Sequence, residues 1–231
     1  WPRVAPGGGI LALDRHGSPF GVAVGARGGF LLTAVPNWTG RRGLNGWPLI
    51  GLVLVWLLAR LAWLMPIPPA LLLVLQLPFL PLLAWVLGRD LLAAGKRDNY
   101  PILLMITLLA GCQVMTLWGL ATHDDGLQRR GVLAALWLVA ALMSVIGGRV
   151  IPFFIQRGLS RPPAPAASPL PTRVLLVSGM LVAVSFAFGL NDAPRPWLSL
   201  LFVLIGALHL LRLWRWHDRG MWRVPLLWSL Y

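Results

Sequence analysis

Glutamate is absent from this chain of 231 residues, and only 12% of its residues are charged. All seven acidic residues are aspartates, set against twenty Lys+Arg, which leaves a formal net charge of +13. A soluble domain carries about 25% charged residues, so this chain has too little charge to cover a core of its length. That shortage excludes a soluble enzyme, and the high apolar content excludes intrinsic disorder. It also argues against a nucleic-acid partner, despite the excess of positive charge. Cysteine is nearly absent too. Cys112 stands alone, so there is no intramolecular disulfide, no C-x-x-C-H for covalent haem attachment and no thiolate cluster for zinc or iron–sulfur. No H-E-x-x-H, no Glu-x-x-His and no acid pair within an apolar run occurs, so nothing here builds a hydrolytic site. A basic segment followed by an apolar leader is also missing. The chain opens at Trp1 and reads as a fragment of a longer protein.

What is present is apolar: 58% of the residues are hydrophobic. A helix crossing the hydrocarbon core needs about 20 mostly apolar residues. Seven candidate spans meet that need, near Phe20–Val35, Trp47–Met65, Ala70–Gly88, Pro101–Ala121, Gly131–Pro152, Val174–Leu190 and Trp197–Leu213. An eighth, Val224–Tyr231, is cut off. The runs are long and Leu/Ala-rich, without the alternation of an outer-membrane barrel. The expected fold is therefore an all-α polytopic transmembrane bundle of about seven complete spans plus a truncated eighth, with the lipid bilayer as its partner.

The basic residues give that bundle an orientation. Arg41, Arg42, Arg89, Lys96, Arg97, Arg157, Arg161, Arg173, Arg212, Arg215, Arg219 and Arg223 fall in one alternate set of loops, twelve in all. The other set holds Arg129, Arg130 and Arg195, partly offset by Asp124, Asp125 and Asp192. Twelve against three is a positive-inside signal, placing the Arg-rich loops in the cytoplasm. Most of the thirteen Trp cluster at the expected interfaces, where an indole sits well at headgroup depth. Trp56 and Trp137 lie deeper, as packing residues or as the lining of a cavity.

Ser160 to Arg173 reads SRPPAPAASPLPTR, with five prolines. Proline fixes φ and lacks an amide donor, so an extended cytoplasmic tether is expected there. The expected organisation is an atypical N-terminus at residues 1–19, a first bundle of five helices at 20–159, the linker at 160–173 and the start of a second bundle at 174–231. Pro78 and Pro81 should kink the third span. Gly21, Gly25 and Gly29 form a face that permits close helix packing in the first.

Ionisable groups inside a span are functional candidates, because burying one costs several kcal/mol. Arg60 lies near one end of the second span and can either snorkel to the interface or face a polar cavity. Arg149 follows Gly147-Gly148, where the missing side chains admit another backbone or a ligand. It could meet an anionic group such as a haem propionate, or serve as a positive-inside anchor. His209 is the one histidine well inside a span. It can ligate haem iron or copper, or hydrogen-bond a neighbouring helix. His123 and His217 read as solvated loop residues.

Three segments carry a family resemblance: FLLTAVPNWTGRRGLNGWPL at Phe30–Leu49, GGRVIPFFIQRGL at Gly147–Leu159 and RLWRWHDRGMWRVPLLWSL at Arg212–Leu230. The RDNYP stretch at Arg97–Pro101 fits with them. Together, in this order and at these loop positions, they resemble the NnrS family of bacterial inner-membrane proteins. The resemblance implies a larger polytopic protein of the nitric-oxide response, relieving nitrosative stress, with haem and copper as cofactors and no assigned enzymatic reaction. It implies that this chain lacks the first helix and the last several. Respiratory or nitric-oxide-metabolism partners would follow from such a role.

The chain departs from that family just before the first span. A His-x-His-Glu-Met-type motif, suited to metal or haem ligands, stands there in the family, and this chain has LDRHGSPFG at Leu13–Gly21. Only His16 matches one of the histidines. Asp14 takes the place of the other, and Gly17 and Ser18 replace the Glu and Met. Arg27 then falls mid-span, at a cost of about 2.5–3.5 kcal/mol on the insertion scale. Residues 1–29 are expected to include an out-of-frame or eroded stretch. Two other classes fit the composition: a small-molecule or ion transporter with kinked helices in two halves, and a structural subunit of a respiratory complex.

Overall fold

The computed structural model describes residues 43–62, 67–95, 100–160, 170–193 and 195–224, with Leu32, Met65 and Leu227. The described elements are helical, and there is no strand among them. Four of the helices are long and apolar enough to cross a membrane: Ala70–Ala94 (taken through a break at Leu77–Pro78), Tyr100–Thr122, Asp125–Gly158 and Pro196–Trp216. Trp47–Leu61 and Pro171–Ala187 are apolar but shorter. The expected span at Phe20–Val35, its glycine face and the cut-off segment at Val224–Tyr231 lie, but for Leu32, Val224 and Leu227, outside the described residues. The chain divides into two compact units, residues 1–139 and 140–231. The division falls inside one long helix, and the Pro-rich linker lies wholly within the second unit.

In the first unit, α1 (Trp47–Leu61) starts after Gly46, whose φ of 67° favours a residue without a Cβ. Pro48 follows in the first turn, where a missing N–H costs nothing. α2 (Pro69–Gln76) and α3 (Phe79–Ala94) are separated by a turn at Leu77–Pro78. Proline explains the interruption. Pro78 and Pro81 have no N–H to give to the carbonyls of Val74 and Leu77, so the helical ladder fails over one turn. Leu77 and Pro78 keep helical dihedrals (φ −62° and −66°), so the interruption lies within one helical course at the place where a kink was expected. Leu80, Leu83, Leu87 and Leu91 form a buried stripe on α3, and Ile102, Met105, Ile106 and Leu109 form another on α4 (Tyr100–Thr122). α3 runs to Ala94, six residues beyond the end expected from hydropathy, and ends on Gly95 at φ 66°. The extension turns Asp90 from a loop residue into a buried one.

α5 (Asp125–Gly158) has 34 residues and spans about 51 Å at 1.5 Å per residue. It begins at Asp125, so Arg129 and Arg130 belong to its first turns and not to a loop. Its hairpin with α4 is tight: only His123, at φ 56°, and Asp124 separate the two helices. Glycine makes that possible. A Cβ on Gly119 would stand 2.5 Å from the Gln128 amide nitrogen, and one on Gly131 2.5 Å from Thr116 Oγ1.

The second unit takes the remainder of α5, with α6 (Leu170–Ala187) and α7 (Pro196–Trp216). Pro152 was expected to close the fifth span, yet α5 continues past it to Gly158. It costs the helix the amide that Gly148 C=O would otherwise receive. At the expected tether, Leu170–Arg173 are already helical, and Pro171 sits in the first turn of α6 where its lack of a donor is harmless. α6 crosses α5 at small residues, with Gly179 so close to Ala141 that a Cβ would stand 2.9 Å from the alanine Cβ. After α7 a short 3₁₀ turn, Arg219–Arg223, is capped by Asp218, whose carboxylate accepts from the Gly220 amide at 2.9 Å. Met221, Ile155 and Leu227 form a buried cluster there with Ile151, Leu159, Trp216 and Val224.

Candidate functional site

Among the described residues, each unit holds a polar cluster within largely apolar helices. In the first, Arg60 of α1 donates from Nη2 to Gln76 Oε1 at 3.0 Å. The Gln76 side chain in turn donates from Nε2 to the Ala59 carbonyl. Gln113 of α4 donates from Nε2 to the Gln76 backbone carbonyl at 2.8 Å. That carbonyl lies at the end of α2, beside the break that Pro78 and Pro81 impose. Gln76 and Gln113 are 1% and 3% exposed, and their bonds cross between helices. Arg60 is half-buried and bonded to Gln76 of the neighbouring helix.

In the second unit the cation is Arg212 of α7. Nη1 donates to Ser144 Oγ at 3.0 Å, and Nη2 donates to the Ser144 carbonyl. The guanidinium lies over the Trp216 ring, 4.4 Å from its centroid, a favourable cation–π arrangement. Gly148 makes the room: a Cβ there would stand 2.6 Å from Nη2. The close approach expected at Gly147-Gly148 therefore takes place, and the group that enters is a side chain of this same chain. Arg212 is buried on α7, which corrects its placement in a loop, and Trp216 packs beneath it. Two of the segments that carry the resemblance meet in this unit. Leu227 packs where a Cβ on Gly158 would stand, and Leu159 does the same at Gly220.

The residues singled out as cofactor candidates are not brought together. His209 lies on α7, half-buried, three residues before Arg212 and so on the same helix face. Arg149 is exposed on α5. His16 lies outside the described residues. His123 and His217 are exposed, as expected of loop residues, and His217 rests near Trp222 with ring centroids 6.5 Å apart. Trp56 and Trp137 are half-buried. Cys112 is buried on α4. Among the described residues there is no group of three His, Cys or Asp side chains able to hold a metal ion.

Sequence reading missed Gln76, Gln113, Asp90, Ser144 and Arg212. The two glutamines did carry a signal, since each is a lone amide in an otherwise apolar run. Asp90 and Arg212 were hidden by setting helix ends where hydropathy falls, and Ser144 by the 68 residues that separate it from its partner.

No curated protein and no solved structure matches the chain. The family model described as NnrS protein matches residues 6–231, nearly its whole length. This chain, an all-α protein with membrane-length apolar helices, belongs to the NnrS family.

Proposed function

We propose that this chain is part of a multi-pass protein of the bacterial inner membrane that acts in the response to nitric oxide and relieves nitrosative stress. Family membership over residues 6–231 carries the reading. The apolar helices support it, because nitric oxide is a small uncharged molecule that enters hydrocarbon freely. The division of basic residues, twelve against three, supports an arrangement with the Arg-rich loops in the cytoplasm. The seven complete spans and an eighth remain part of this proposal, as do the five-helix first bundle and the second bundle beginning at 174.

Haem and copper fit the described residues unequally. For haem, His209 is the candidate axial ligand: a neutral imidazole nitrogen there would bind iron within the apolar layer. Arg149 is the candidate partner for a propionate, and Arg212, one turn from His209, is bonded to Ser144 and stacked on Trp216. For copper, the described residues supply no three-donor set. His16 is the further candidate, so copper binding rests on the family resemblance alone.

Optical spectra and metal analysis of membranes carrying the full-length protein test the proposal. A Soret band and copper above the level of membranes without the protein support it. Absence of both removes the cofactor reading. A transporter is the second reading, favoured by one observation: proline interrupts the bonding of the Ala70–Ala94 span at Leu77–Pro78, beside buried polar side chains, and a kinked helix suits alternating access. Gradient-dependent uptake into proteoliposomes would establish it.

A further inference from the structure

We propose that Arg60, with Gln76 and Gln113, forms a binding site for a small oxyanion in the first unit.

The argument starts with the hydrogen bonds left unmade. A guanidinium has five N–H donors and is charged at any pH the protein meets. Among the described residues Arg60 has one acceptor, Gln76 Oε1. Its Nε is enclosed and bonds to nothing among the described residues. Among the described residues, no carboxylate forms an ion pair with Arg60. Asp90 accepts from Arg89 Nε at 3.1 Å, and Asp124 accepts from the Leu127 amide at 2.9 Å at the start of α5. A half-buried cation among apolar helices is costly without a counter-charge, and an anion relieves it.

The cluster is also oriented for such a ligand. Amide orientations follow from the bonding network, and here two backbone carbonyls decide both. Ala59 C=O takes the Gln76 Nε2 donor, which turns Oε1 toward Arg60. Gln76 C=O takes the Gln113 Nε2 donor, which leaves Gln113 Oε1 buried without a donor. One enclosed donor on a cation and one enclosed acceptor thus belong to side chains that both bond Gln76. An oxyanion would accept from the guanidinium, and a hydroxyl or water that it brings would donate to the amide oxygen. Planar and bidentate, the guanidinium suits oxygens on phosphorus better than an ammonium would.

Arg60 lies in the last turn of α1, close to headgroup depth for a short span. Two sources therefore share the chemistry, a lipid phosphate and free inorganic phosphate. Thermal unfolding of the full chain, purified in an uncharged maltoside detergent, separates them. One arm adds inorganic phosphate and the other a short-chain phosphatidylglycerol. The wild type should gain Tm in at least one arm, and the responding arm identifies the source. Arg60→Gln should abolish the gain or raise the half-saturating concentration about tenfold or more, the loss of a charge-assisted pair. Arg60→Lys keeps the charge but not the fork, so it should raise that concentration while folding normally, and it decides the matter if Arg60→Gln fails to fold. Arg195→Gln, an exposed site on the second unit, should titrate as the wild type. The proposal is overturned if neither ligand raises the wild-type Tm, or if both Arg60 variants titrate as the wild type does.

Discussion

Arg212 and Ser144, 68 residues apart, are joined twice: guanidinium Nη1 donates to the serine hydroxyl at 3.0 Å, and Nη2 donates to its backbone carbonyl. The pair fastens α7 to α5 at the point where Gly148 has no side chain. Arg212 therefore acts as an internal tie in the second unit, although its type and position suggest a cytoplasmic anchor.

Gly148→Ala tests that tie. The added Cβ would meet Nη2 at 2.6 Å and Cζ at 3.0 Å. The guanidinium cannot swing away without leaving Ser144 and the face of Trp216. We expect a loss of about 1–3 kcal/mol, the usual cost of overpacking, seen as a lower Tm in detergent. Arg212→Lys should also lose stability, because an ammonium cannot bond both serine oxygens with the same fork.

Glycine replacements in the first unit should separate by position. Gly119→Ala and Gly131→Ala place a Cβ within 3.0 Å of backbone atoms across the α4–α5 hairpin, whereas Gly111 has nothing within 4 Å. The first two variants should destabilise by about 1–3 kcal/mol. Gly111→Ala should be neutral or stabilising by up to about 1 kcal/mol from helix propensity. Cys112, the single thiol and buried on α4, reports the outcome directly. A polar maleimide should label it faster in the hairpin variants than in Gly111→Ala.

Much of this fold is legible in the sequence, and the illegible parts have physical causes. The interiors of α1 to α7 follow from apolar runs, because burial against lipid or protein leaves one signature in composition. Helix ends do not follow. Asp90 and Arg212 continue their helices after hydropathy has dropped, since a charged residue can stay helical when it turns inward to a partner. The break at Pro78 was visible as a kink, but the glutamine that caps the freed end of α2 comes from position 113, and no local pattern links the two. Pro152 misled because a helix packed within a bundle tolerates a missing amide that would end an isolated one.

The turn after α7 should depend on its cap and its buried methionine. Asp218→Ala removes the acceptor of the Gly220 amide and should cost about 1 kcal/mol. Met221→Ala empties a fully buried position in the cluster with Ile155 and Leu227, at about 2–5 kcal/mol. Circular dichroism melts of the two variants should rank them in that order.

The optical spectrum of the purified full-length protein, wild type against His209→Ala, tests the central claim most directly. The account predicts a Soret band in the wild type that is lost or shifted when His209 is replaced, with the helical signal unchanged. A wild-type spectrum without a Soret band contradicts the haem assignment. A band of identical position and height in His209→Ala contradicts the choice of ligand.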